Sequence, residues 1–239
     1  MIYQCYFRAS QESRLFTGGT YTGFGLEPEV NPHLLDNCPE LADPVTRLAL
    51  SEYAAFLNTW RRPLDGDDWI GFTSYRQLDK SDVVFESKSQ IERLLARHDL
   101  VAWHVWSVGH LRFNGLTGAA AQAEYSHPDI HWFIRDLFAH FDVPIPDGYF
   151  TADAVPYANY WAMSKERFRM FMEWSWPLVQ YALELNHPYK RPGRPHADSG
   201  RAVGYVAERL FVMWTFSSPL KCRWLGTIQR APALGQKRA

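Results

Sequence analysis

No stretch of about 18 apolar residues, the length a helix needs to cross a bilayer, occurs in this chain. The amino-terminal MIYQCYFRAS also lacks a basic segment followed by a long apolar run. The expectation is a chain that neither spans a membrane nor is exported by that signal. Cysteine is scarce: Cys5, Cys38 and Cys222 are odd in number, far apart and form no C-x-x-C pair. That removes a disulfide framework and a zinc knuckle, and fits a reducing cytoplasm. Neither sign of charge dominates, with 25 Lys and Arg against 26 Asp and Glu and a net charge of -1. A protein drawn as a whole to nucleic acid normally carries a strong basic excess, so nucleic acid is not an expected partner. No internal repeat or low-complexity segment interrupts the 239 residues.

What is present is a large apolar fraction, 46%, enough for a substantial core. Ile2 to Phe7 is a short β-prone run, followed by FTGGTYTGFG, which reads as a mobile Gly- and Thr-rich loop. Asp43 followed by Pro44 predicts a capped helix start, and Leu50, Ala54 and Leu57 give that helix one apolar face as far as about Trp60. DDWIGF, LVAWHVW and PYANYWAMS predict strands. SKSQIERLLARHDL, HPDIHWFIRDLFAHF, KERFRMFMEWSWPLVQYALEL and RAVGYVAERLFVMWTF predict helices, with Pro177 expected to kink or split the third. The segment 107–125 reads as loop or a small subdomain, and HPYKRPGRPHADSG as a basic loop. Strands alternating with helices point to an α/β domain with a mostly parallel central sheet flanked by helices over 1–226, with a polar tail at 227–239.

In such sheets ligands sit beyond the carboxyl ends of the strands, which singles out Ser74, Tyr75 and Arg76 after WIGF. Arg76 suits a phosphate or carboxylate because its planar fork binds two oxygens, and Tyr75 suits a base or sugar. The competing reading packs Tyr75 into the core and pairs Arg76 with Asp79 or Asp82. Glu208 and Arg209 are the only charges between Val203 and Phe216, so each needs a partner or a cleft. Glu208 can serve as a general base, or form a buried pair with Arg76 or Arg201. His127, Asp129 and His131 imitate a helical zinc site, but Pro128 stands where the basic glutamate would be. FTGGTYTGFG lacks the Lys-Ser/Thr ending of a phosphate-binding loop. From Lys190 onward ten Lys and Arg face only Asp198 and Glu208, a basic end suited to anionic headgroups.

Three segments, in order, resemble a bacterial family of capsular and exopolysaccharide glycosyltransferases long known only as a domain of unknown function. DDWIGFTSYRQ is similar to that family's strand ending in His-Tyr-Arg-Arg, with Ser74 in place of the His and Gln77 in place of the second Arg. YANYWAMSKERFRMFMEWSWPLVQYALE is similar to its Asn, apolar strand and aromatic helix, and RAVGYVAERLFVMW to its Glu-Arg-Leu helix. The resemblance covers residues 38 to 216 in pieces. It implies a GT-A-like fold and a transfer from a nucleotide-diphosphate sugar to a saccharide or lipid-linked acceptor, at the inner face of the membrane. The roles it implies are Tyr75, Arg76 and Ser74 at the donor diphosphate, Glu208 and Arg209 in catalysis, and Asn159, Tyr160 and Arg201 at the sugar. The charge of the leaving diphosphate would then be met either by Arg76 or by Mg2+ or Mn2+ held at Asp79 or Asp82, one turn past the strand end. Two rival expectations stand beside it: a catalytically silent saccharide-binding subunit, favoured by Ser74 and Gln77, and a metal-dependent hydrolase built on His127, Asp129 and His131.

Overall fold

A computed structural model describes residues 1–62, 66–185, 202–226 and 228–230. In chain order its strands are β1 Ile2–Tyr6, β2 Tyr21–Gly25, β3 Trp69–Ser74, β4 Leu100–Ala102, β5 Val105–Ser107, β6 Arg112–Phe113, β7 Leu116–Thr117, β8 Ala154–Pro156, β9 Trp161–Ser164, β10 Cys222–Trp224 and β11 Gln229–Arg230. The helices are α1 Pro44–Leu50, α2 Tyr53–Arg61, α3 Gln77–Lys80, α4 Lys88–Leu95, α5 Gly118–Ser126, α6 Ile130–His140, α7 Gly148–Thr151, α8 Lys165–Glu184 and α9 Ala202–Ser217.

Six strands form the central sheet in the order β10-β4-β9-β3-β1-β2. Strand β1 is parallel to β2 and to β3, and β10 is parallel to β4. Only β9 runs against its neighbours, β3 and β4. The expected α/β architecture with a mostly parallel sheet is therefore the one observed. All six residues of β3 are buried, as a central strand covered on both faces requires. On one face Phe72 and Trp161 meet Phe56 of α2, Phe168 and Phe171 of α8 and Phe211 of α9, with Phe72 and Phe56 centroids 4.4 Å apart. Burying each such ring contributes about 1.5–3 kcal/mol. On the other face Trp69, Trp103, Tyr160 and Ile91 of α4 form a second cluster.

The predicted stripe on α8, Phe168, Phe171, Met172, Ser175 and Val179, is fully buried. Pro177 does not split this helix: α8 runs unbroken through it, held by buried residues both before and after the ring. Asp43 caps α1 as predicted, its carboxylate accepting from Val45 N at 3.2 Å and Thr46 N at 3.0 Å. Four expectations are corrected. The helix expected from Pro44 to Trp60 is broken at Ser51, whose φ of 54° lies in the left-handed region. LVAWHVW is two strands, because Trp103 turns into the second cluster against Phe85 and His104 bonds Lys80 O, so β5 leaves for a small sheet in the order β11-β5-β8. PYANYWAMS is likewise split into β8 and β9 by Ala158 and Asn159, both left-handed. FTGGTYTGFG is not wholly a loop: Tyr21–Gly25 is an edge strand in register with β1.

Within 107–125 the structure places a β6-β7 hairpin, closed by left-handed Asn114 and Gly115, and the helix α5. Of the expected tail, Gln229–Arg230 pairs in parallel with β5. Residues 231–239, the basic loop at 187–200 and Arg201 lie outside the described residues. No helix among the described residues is long and apolar enough to cross a membrane.

Candidate active site

The chain runs from β1 to β2 on one side and then crosses to β3 on the other, so the carboxyl ends of β1 and β3 flank the point where strand order reverses. Crevices at such points are where open α/β sheets bind ligands. A cavity of about 260 Å³ opens there. Phe7 enters it from β1, and Ser74, Tyr75 and Arg76 from β3. Lys80 comes from the end of α3, Ser51 and Glu52 from the interruption between α1 and α2. Ala158 and Asn159 reach it from the left-handed turn before β9, and Gly204, Tyr205 and Glu208 from α9. A wider groove of about 800 Å³, with Gln11, Glu27 and Glu29 on its walls, adjoins the cavity through Phe7 and Tyr75.

The cationic side is built on the strand end. Arg76 is 53% exposed, and its Nε donates to Asp79 Oδ2 at 3.3 Å. Arg14 holds the same carboxylate through Nη2, at 2.7 and 2.8 Å to its two oxygens, and its guanidinium lies 5.3 Å from the Tyr75 ring centroid. Tyr75 is half-buried and lines the cavity instead of filling the core. Lys80 sits with its Nζ 5.5 Å from the Tyr160 ring centroid. Its backbone is pinned by His104. Because the Trp106 indole can only donate, its 3.0 Å contact makes His104 Nε2 an acceptor, and the ring proton therefore sits on Nδ1, which donates to Lys80 O at 2.8 Å. Burial, followed by the Lys80 charge, lowers the His104 pKa to about 4.

That depression predicts an acid limb in stability. A histidine depressed in the folded state contributes fully above its unfolded value near 6.5, and loses that contribution as pH falls toward 4. The loss amounts to about 3 kcal/mol when complete. Melting temperatures measured between pH 7 and 4 should fall more steeply for the native chain than for His104→Gln; equal slopes would refute the assignment.

Opposite the cations stands Glu208. Its Oε1 accepts from Ala158 N at 2.6 Å and its Oε2 from Arg209 Nη1 at 2.8 Å. Burial alone would raise this carboxyl, but Arg209, Lys80 and the Ala158 N–H together hold it below the usual range. Arg209 is 2% exposed and lies behind Glu208, outside the cavity lining. Its guanidinium stacks 4.6 Å from the Tyr157 centroid, and its Nη2 reaches Gln122 Oε1 at 3.2 Å. The turn that supplies the Ala158 N–H is strained, with φ of 62° at Ala158 and 56° at Asn159. Such backbone persists where surrounding structure over-determines it, often at functional sites.

The structure thus brings Ser74, Tyr75, Arg76, Asn159 and Glu208 to one cavity, as expected, and leaves others aside. Tyr160 lies behind the wall, its hydroxyl 2.6 Å from Ser74 Oγ, and burial pushes its pKa up. Asp79 is occupied by two arginines, and Asp82 is exposed on the segment after α3. Among the described residues no three His, Cys, Asp or Glu side chains converge as a metal site, and the Asp79 carboxylate is already paired with arginine. His127 ends α5 and stacks on Tyr205 at 3.7 Å, whereas His131 lies buried in α6, which starts only at Ile130. The shared helical face expected for the two histidines does not exist. Gln77 is structural, bonding Thr73 Oγ1 and Val83 O, both at 2.6 Å.

Sequence reasoning missed Phe7, Ser51, Glu52, Lys80 and Tyr205. Tyr205 and Lys80 carried a signal: Tyr205 is three residues before Glu208 on one helix face, and Lys80 lies four beyond Arg76. Glu52 carried none, because the break that aims it is invisible in the apolar periodicity.

No family model and no curated protein matches the chain. A solved structure does: the apo structure of WbbM, a bifunctional glycosyltransferase, at a TM-score of 0.59 and 16% identity over 94% of this chain and 44% of that one. The chain spans less than half the length of that protein, and at this identity the likeness is one of fold. The fold is one shared with a glycosyltransferase.

Proposed function

We propose that the protein is a glycosyltransferase that moves a sugar from a nucleotide-diphosphate donor to a saccharide hydroxyl, in the setting of surface-polysaccharide synthesis. The observation that carries this reading is that Arg76 and Glu208 face one cavity at the switch point of a sheet shared with a glycosyltransferase. Cavity and groove together accommodate the donor. Its diphosphate lies at Arg76 and Lys80, its nucleoside extends past Tyr75 and Phe7, and its sugar is held near Asn159 and Glu208. Ser74 and Tyr160 support the wall, and Arg209 keeps Glu208 ionised and in place.

Catalysis on this reading comes from holding donor and acceptor in line while the two cations stabilise the charge developing on the leaving diphosphate. No step is assigned to a divalent ion, because Asp79, one turn past the strand end, is paired with Arg14 and Arg76. A lipid-linked acceptor and a contact with the inner membrane face are part of the same proposal. In that contact Lys221 and Arg223, exposed among the described residues, act, and buried Arg209 does not.

The test is a thermal-shift panel of nucleoside diphosphates and their sugars, with manganese and with EDTA. A ligand at 100 times its dissociation constant stabilises the fold by about 2.7 kcal/mol. The expected result is a shift with at least one nucleotide sugar that EDTA leaves intact. A shift that appears only with manganese would return the metal to the site. Silence toward every nucleotide, with binding of oligosaccharides, would favour a saccharide-binding subunit without donor chemistry.

A further inference from the structure

Two carboxylates face the cavity, and one helix crossing brings them together. A Cβ on Gly204 would lie 3.1 Å from both Ala49 O and Ser51 Cβ, so α9 rests directly on the broken turn between α1 and α2. Four residues on, Glu208 projects from the same face of α9. Immediately past the break, Glu52 opens α2. The break is strained: Ser51 adopts φ 54° and ψ -132°, outside the regions a serine favours, and its Oγ donates to Glu52 Oε2 at 2.5 Å.

The two carboxylates are not equivalent. Protonating Glu208 would give up the Ala158 N–H and Arg209 bonds that hold the anion, which makes it a poor proton acceptor. Glu52 lines the same cavity from the turn before α2, where it accepts the Ser51 hydroxyl. Among the described residues the titratable and charged groups around it include Cys5 of β1, Arg76 after β3, Lys80 of α3, Tyr160 before β9 and Glu208 of α9.

We propose that Glu52 is the catalytic base, and that Glu208 is a positioning residue that fixes the turn at Ala158 and Asn159. This rests on the glycosyltransferase reading above. The acceptor hydroxyl gives its proton to the Glu52 carboxylate as its oxygen bonds the anomeric carbon. The bond from that carbon to the diphosphate oxygen breaks, and its electron pair leaves on the phosphate facing Arg76 and Lys80. A single displacement of this kind inverts the anomeric configuration.

The experiment uses the whole chain with UDP-, GDP- and dTDP-sugars and methyl glycosides as acceptors. It reads donor binding by thermal shift, nucleoside diphosphate release by coupled assay, and product configuration by NMR. Glu52→Gln is expected to lose about 100-fold or more in release rate while donor affinity holds, the range a positioned base supplies. Glu52→Asp should restore part of the rate. Glu208→Gln should act on stability and donor affinity, a split that loss of the base would not show. Release by Glu52→Gln within about threefold of native, or a product of retained configuration, would overturn the assignment while leaving the glycosyltransferase reading intact. The configuration is read on the native chain, so a variant that fails to fold does not shelter the proposal. A native chain that neither binds nor cleaves any nucleotide sugar would sink the donor reading, and this assignment with it.

Discussion

Glu208→Ala is expected to destabilise the fold by about 3–5 kcal/mol, because it strands the buried Arg209 guanidinium without its counter-charge. For a chain of this size that corresponds to a fall of about 10 °C or more in melting temperature. The reasoning separates two effects. Among the described residues Arg209 keeps Gln122 Oε1 and the Tyr157 ring when the carboxylate is removed, and neither supplies negative charge. The left-handed turn at Ala158 also loses the acceptor for its N–H, which frees the strained backbone to relax and moves Asn159. Replacing both members, Glu208→Met with Arg209→Met, should recover most of the loss, since a buried ion pair exchanged for apolar volume is often near neutral. Urea denaturation of the native chain and the two variants checks this; a Glu208→Ala chain as stable as native would show that Arg209 finds another partner.

Arg76→Ala should leave stability within about 0.5 kcal/mol of native, because its pair with Asp79 is solvent-exposed and Arg14 continues to hold that carboxylate. Its effect is expected in binding instead. Losing a charge-assisted contact to a diphosphate removes about 1.5–3 kcal/mol, or roughly 10- to 100-fold in affinity. Arg76→Lys should recover only part, since an ammonium cannot span two phosphate oxygens. Calorimetric titration with nucleoside diphosphates distinguishes these outcomes. Full affinity in Arg76→Ala would move the diphosphate away from the β3 end.

Much of this was legible in the chain itself. The buried run Trp69–Ser74, the cap at Asp43 and the apolar stripe of α8 are local patterns whose meaning does not depend on distant neighbours. Arg76 and Glu208 could be named in advance for a similar reason: a fork of donors at a strand end and a lone acid in an apolar helix are each conspicuous against their own surroundings. Breaks were harder to see. Nothing in the identity of Ser51 or Ala158 announces a left-handed backbone, and Asn159, a type that tolerates one, stands inside an apolar run, so the helix and strand around them read as continuous. The Asn114-Gly115 hairpin did carry a turn signal, yet its strands are only two residues long and too short to show alternation.

Residue identity and periodicity, which act over one or two turns, determined which segments form the sheet and its covering helices and which charges stand out. Tertiary structure decided which of those charges share a space. The rest of α9 had to lie against the broken turn at Ser51 before Glu52, Glu208 and the β3 end could face one another, and such an encounter depends on contacts between residues more than a hundred positions apart. It likewise decided the partner of Asp79, because only in three dimensions does Arg14, 65 residues away, reach that carboxylate.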